Sequence, residues 1–180
     1  MLAEEVISGL EERGVECETL RLADLNILPG VSSDEGEGEA WPAVREKILA
    51  SEIVILGTPT WLGQMSSVAK RALERMDAML SEQDEAGQMI AFNRVAGSVV
   101  TGNEDGAKHC IAELQAATTE IGFCAPPLAH TYWNMGPAPA PDYADTDRGK
   151  EWSHTTARSC AHNLFHVARA LRECPIPPEG

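Results

Sequence analysis

The feature that most constrains this chain is the unbroken apolar run Ile53-Val54-Ile55-Leu56, closed by Gly57. Four apolar residues, three of them β-branched, with no polar alternation describe a strand covered on both faces, as in a parallel sheet between two layers of helices. Val95 to Thr101 repeats the theme with smaller side chains and ends in the polar turn Gly102-Asn103-Glu104-Asp105-Gly106.

Helical patterns flank these strands. Residues 2 to 13 set Leu2, Val6 and Leu10 opposite Glu4, Glu5, Glu11 and Glu12, with Gly14 as a stop. Further helices are expected over 42–50, from Ser66 or Ser67 through Leu80, over about 107–121 and over 148–172. Val15 to Leu22 alternates and is expected as a strand. Cys124 to Thr131 is a weaker strand, interrupted by Pro126 and Pro127. Residues 29–39 read as a solvated acidic loop, and 136–142 as a Pro-rich one. Alternating elements in 180 residues predict a single α/β domain over residues 1–180, with any ligand beyond the carboxyl ends of the strands.

Composition excludes several classes. The net charge of -14 opposes binding to nucleic acid, whose phosphates need a Lys/Arg footprint. No segment approaches the roughly 20 apolar residues of a membrane span. The five cysteines contain no C-x-x-C pair, the usage of reduced thiols, so the cytoplasm is the expected location. His162 and His166 have a metal-compatible spacing near Cys160 and His154, but no second ligand pair accompanies them, and no metal is expected. His109-Cys110 lacks a third partner for a nucleophile. His130, Tyr132 and Trp133 are either a border of the ligand cavity or a packing cluster.

Gly57-Thr58-Pro59-Thr60-Trp61-Leu62-Gly63-Gln64-Met65-Ser66, between a buried strand and a helix, resembles the second flavin loop of the flavodoxin-like NAD(P)H-dependent FMN reductases and the related quinone oxidoreductases. Thr101 to Ala107 resembles their third flavin loop. The resemblance implies a doubly wound, three-layer αβα sandwich binding FMN non-covalently. It implies hydride transfer from NAD(P)H to a quinone, flavin or similar small acceptor, and a homodimer or homotetramer. Pro59 and Gly63 would shape the first loop, with Thr60, Trp61, Leu62 and Gln64 lining the flavin. Backbone around Thr101, Gly102, Asn103 and Gly106 would meet its other edge. Because the cofactor carries the chemistry, no catalytic residue is required. The alternatives are a non-catalytic flavodoxin-like remnant or interaction domain, and an electron carrier. The pattern begins at the family's first helix, so four of five strands are expected, without the first strand and phosphate loop. A misplaced start is the expected cause, with weak or absent FMN binding if Met1 is the true start.

Overall fold

A computed structural model describes residues 1–136 and 140–179; residues 137–139 of the expected Pro-rich loop fall outside these. The elements in chain order are α1 (Leu2–Glu11), α2 (Trp41–Ala50), β1 (Ile53–Trp61), β2 (Gln64–Met65), α3 (Ser67–Met76), β3 (Val95–Gly102), α4 (Ala107–Glu120), β4 (His130–Asn134) and α5 (Lys150–Glu173), with short 3-10 turns at Leu22–Asp24, Asp77–Leu80 and Tyr143–Asp145. The sheet order is β2-β1-β3-β4. β1 and β3 run parallel from Ile53↔Val95 to Pro59↔Thr101, and β3 and β4 from Ser98↔His130 to Gly102↔Asn134.

Helices cover both faces. On one, Leu2, Val6 and Leu10 of α1 and Ala157, Cys160, Ala161 and Leu164 of α5 pack on Val95, Val99 and Ala129. On the other, Trp41 and Val44 of α2 and Ala72 and Met76 of α3 enclose Val54 and Ala96, while Cys110, Ile111 and Leu114 of α4 pack on Val100. β3 lies between two strands, and its first six residues are buried. Full burial explains its unalternating sequence.

Three expectations change. Val15 to Leu22 is not a strand: residues 15–21 carry no regular structure, because alternation makes a strand only where a ladder partner supplies the hydrogen bonds, and the backbone bonds made there among the described residues are local ones, from the Val15 amide to the Leu10 carbonyl of α1 and from the Asp24 amide to the Arg21 carbonyl. The last strand begins at His130, since Pro126 and Pro127 lack the donors a ladder needs; Cys124 makes only an isolated bridge to Val95. The acidic loop is only partly solvated. The carboxylate of Glu39 is buried against Arg75 (2.5 and 2.8 Å), and Arg75 also donates to the Leu28 and Ser32 carbonyls and lies 5.6 Å from the Trp41 ring centre. The Arg75 hydrogen bonds pull the Glu39 carboxyl down to about 2.

Candidate flavin site

The turn expected after Leu56 comes later than the sequence implied. β1 continues through Gly57, Thr58 and Pro59 to Trp61, and then folds back as a hairpin with Thr60 opposite Met65 and Trp61 opposite Gln64. Leu62 and Gly63 are the two-residue loop, with φ of 52° and 73°. Positive φ at both positions matches the right-handed twist of a tight hairpin and favours Asn-Gly, so Leu62 occupies a position that strains it. It is also 91% exposed, and Trp61 62%.

The base of the hairpin is fastened from below. Thr58 Oγ1 accepts the Ser66 amide at 3.0 Å, and Ser66 Oγ accepts the Ala69 amide at 3.2 Å as the N-cap of α3. Both hydroxyl residues are buried. Strand end, hairpin and helix start therefore form one hydrogen-bonded unit.

The second loop leans directly on the first. A Cβ built on Gly106 would stand 2.6 Å from Gly63 Cα and 2.8 Å from its carbonyl oxygen, and one on Gly102 would stand 2.9 Å from Thr60 Cβ. Gly106 also has φ of +112°. The two loops thus touch backbone to backbone, at a distance that no side chain permits. Below them lies the Cys110 thiol, 3.9 Å from Thr60 Oγ1 and 4.0 Å from the Gly63 carbonyl oxygen. Burial pushes this thiol up, so it is a packing group and not a nucleophile.

The structure brings the ten proposed cofactor residues to one end of the sheet, though not in equal roles. Pro59 and Thr101 are ladder partners. Trp61, Leu62 and Gln64 are exposed. Thr60 is buried with its hydroxyl toward Cys110, so it offers a ligand its backbone only. Asn103 donates to Asp142 Oδ1 at 3.1 Å, tying the second loop to the segment before α5. Among the described residues, the N–H groups of Leu62, Gly63 and of Asn103 through Gly106 donate to no protein group. Six free donors on two fixed loops fit a ring rich in carbonyl and imine acceptors, and suit an anionic ligand in a chain of net charge -14.

Other candidates separate from the site or from each other. Trp133 belongs to the core, 2% exposed, donating from Nε1 to the Arg148 carbonyl at 2.8 Å and lying edge-on to Tyr143. Tyr132 packs edge-on against Trp152 with Lys108 over its ring, and His130 sits 3.0 Å from Lys108 Nζ, its pKa lowered by burial and then by that cation. Cys160 faces the core, its thiol pushed up to about 12 by burial, while His162 and His166 are exposed on α5. Among the described residues no three His, Cys, Asp or Glu side chains converge as metal ligands, and no helix is long and apolar enough to cross a membrane. Sequence reading missed Thr58 as a fastener and His109 as a partner of Gln64, at 3.0 Å. A hydroxyl directly after the apolar run and Gly57, eight residues before the cap, was a usable signal for Thr58. His109 offered none, because its partner is 45 residues away.

The family model described as NADPH-dependent FMN reductase matches residues 1–138. Among curated proteins, 8-demethyl-8-aminoriboflavin-5'-phosphate synthase of Streptomyces davaonensis is 31% identical over 186 residues, covering 97% of this chain and 72% of that protein. The divalent metal cation transporter MntH of Mycobacterium bovis is 37% identical over 170 residues, which is 91% of this chain but only 25% of the transporter. The crystal structure of RosB with bound 8-demethyl-8-formylriboflavin-5'-phosphate superposes with a TM-score of 0.86 at 27% identity, over 98% of this chain and 75% of RosB. A flavodoxin-like WrbA-like protein from Agrobacterium tumefaciens, at 19% identity, has a TM-score of 0.61 over 94% of this chain and 88% of that one, and shows the flavodoxin-like fold.

Proposed function

Because the chain belongs to the NADPH-dependent FMN reductase family, we propose that it is a single-domain oxidoreductase holding FMN between the hairpin of residues 59–64 and the loop of residues 101–106. FMN and NAD(P)H are the cofactors that membership assigns. When bound, the flavin supplies a hydride acceptor and donor. The protein's part is placement: the Leu62, Gly63 and Asn103–Gly106 amides bind the ring edge, and Trp61 and Leu62 cover it from water. Hydride from NAD(P)H passes onward to a quinone, flavin or similar small acceptor. In this reading the enzyme is cytoplasmic and acts as a homodimer or homotetramer. The observation that carries it is the backbone contact of Gly63 with Gly106, which joins the two loops into one donor-lined wall.

A second reading has specific support. The likeness to RosB, and to the curated synthase, favours a flavin phosphate that is itself the substrate. One experiment addresses both: titrate the protein with FMN by flavin fluorescence, add NADPH without oxygen to one portion, incubate another in air with an amine donor, and weigh the flavin in each afterwards by mass spectrometry. Quenching followed by bleaching, with unchanged mass, supports the reductase. A flavin of altered mass supports the substrate reading. Absence of quenching sinks both.

A further inference from the structure

We infer that His109 is a positioning residue that fixes the amide of Gln64 with its NH2 group facing the ligand, making the hairpin a hydrogen-bond donor at that point. The inference rests on the flavin reading above only for the identity of that ligand. Gln64 is exposed in β2, opposite Trp61, while its neighbour Met65 turns into the core. His109 stands in the first turn of α4, the helix whose N-cap is Gly106, so its backbone is held against the hairpin by the glycine contact. Its Nε2 lies 3.0 Å from Gln64 Oε1 and 3.9 Å from Glu113 Oε2.

An amide can present either end to a neighbour, and the neighbour decides which. Glu113 is a carboxylate one helical turn along, and a carboxylate only accepts. The Glu113 carboxylate, 3.9 Å from Nε2, favours a hydrogen on that nitrogen, and Nε2–H then takes the oxygen end of the Gln64 amide as its acceptor, in keeping with the 3.0 Å contact to Oε1. His109 Nε2–H donates to Gln64 Oε1. The Gln64 NH2 group then points away from α4, and among the described residues it has no acceptor of its own. A ligand meeting the hairpin there encounters two N–H donors beside the free amides of Leu62 and Gly63. Carbonyl oxygens fit that position, and N–H groups do not.

The test uses the whole chain and two readouts. FMN affinity is measured by fluorescence titration for the wild type, His109→Phe, Gln64→Ala and the double variant. The side-chain amide signals of Gln64 are followed by nitrogen-15 NMR in the wild type, His109→Phe and His109→Glu. His109→Phe should weaken FMN about three- to tenfold, Gln64→Ala similarly, and the double variant no further than Gln64→Ala alone. His109→Glu, an acceptor only, should turn the amide over: the Gln64 signals move in the direction of hydrogen-bond donation and FMN weakens more than in His109→Phe. Additive losses in the double variant, or Gln64 signals unmoved by His109→Glu, overturn the inference. If the wild type binds no FMN, the flavin reading fails, and the NMR comparison still decides the amide's orientation.

Discussion

Replacing Gly106 by alanine tests whether the two loops are one wall. The added Cβ would lie 2.6 Å from Gly63 Cα, 2.9 Å from its carbonyl carbon and 2.8 Å from its oxygen, all backbone atoms that no rotamer can move aside. Reaching ordinary contact at 3.4 Å requires the loops to part by about 0.8 Å. An alanine at φ +112° adds backbone strain, so the combined cost is about 2 to 4 kcal/mol, or roughly 5 to 12 °C in melting temperature for a domain of this size. The six free amides would shift relative to one another, and FMN affinity should fall by about tenfold or more. Gly87→Ala is the control, with φ of +80° but no atom within 4 Å of its Cβ. It should cost about 1 kcal/mol and leave FMN binding unchanged. Thermal melts and fluorescence titrations read both variants. A Gly106→Ala protein that melts and binds like the wild type would refute the rigid contact.

Leu62→Asn should raise stability by about 0.5 to 1 kcal/mol, because Asn accepts the left-handed turn, while weakening FMN about threefold or more as the exposed apolar cover is lost; melting and titration must move in opposite directions. Thr58→Val strands the buried Ser66 amide and should cost about 1 to 3 kcal/mol with loosened FMN binding, whereas Ser66→Ala removes the cap of α3 and the 3.3 Å bond from the Thr58 hydroxyl but leaves the Ser66 amide bonded to Thr58, at about 1 kcal/mol, and keeps the hairpin; urea midpoints and FMN titrations separate the two. Glu39 has its carboxyl depressed from 4.5 to about 2, so its contribution is complete above pH 4.5 and is lost as pH falls toward 2. Glu39→Gln should therefore cost about 3 kcal/mol at neutral pH, with the gap to the wild type closing in acid, as urea melts across pH would show.

The elements legible in the sequence were those whose partners the pattern itself guarantees. Val95 to Thr101 read correctly as a buried strand because two-sided burial removes alternation, whereas Ile53 to Leu56 read correctly as a strand paired with it in parallel but is less covered than its apolar run implies, with only Val54 buried and the other three half-buried. α3 was legible from Ser66, a cap preceding helical spacing. Val15 to Leu22 misled because alternation records a preference for extended backbone and says nothing of a ladder partner. The hairpin was hidden for a related reason. Gly57 and Pro59 look like a turn, yet Gly57 has φ outside the left-handed region and Pro59 ends the parallel ladder, so the chain turns only at Leu62-Gly63, where the sequence shows Leu in place of the usual Asn. The burial of Glu39 was invisible because Arg75 lies 36 residues away.

The position of the free donors explains how an acidic chain can present a site for an anionic, acceptor-rich ligand. With 28 Asp and Glu against 14 Lys and Arg, the protein offers no long-range positive field. What it offers is local: amides of two loops, held in place by the ladder from Pro59 to Thr101 below and by Gly63 against Gly106 across. Amide dipoles act over short range, so their value depends on where they are held rather than on how many there are. Side chains in the second loop then matter less than its glycines. Asn103 is spent on Asp142, and among the described residues the Glu104 and Asp105 side chains make no hydrogen bond or ion pair. Substituting the acidic side chains Glu104 and Asp105 by Gln and Asn should accordingly change FMN affinity far less than adding one methyl group at Gly106, although the first change alters the charge by two and the second not at all. The opposite ranking in the same titration would mean that charge, and not loop geometry, governs the site.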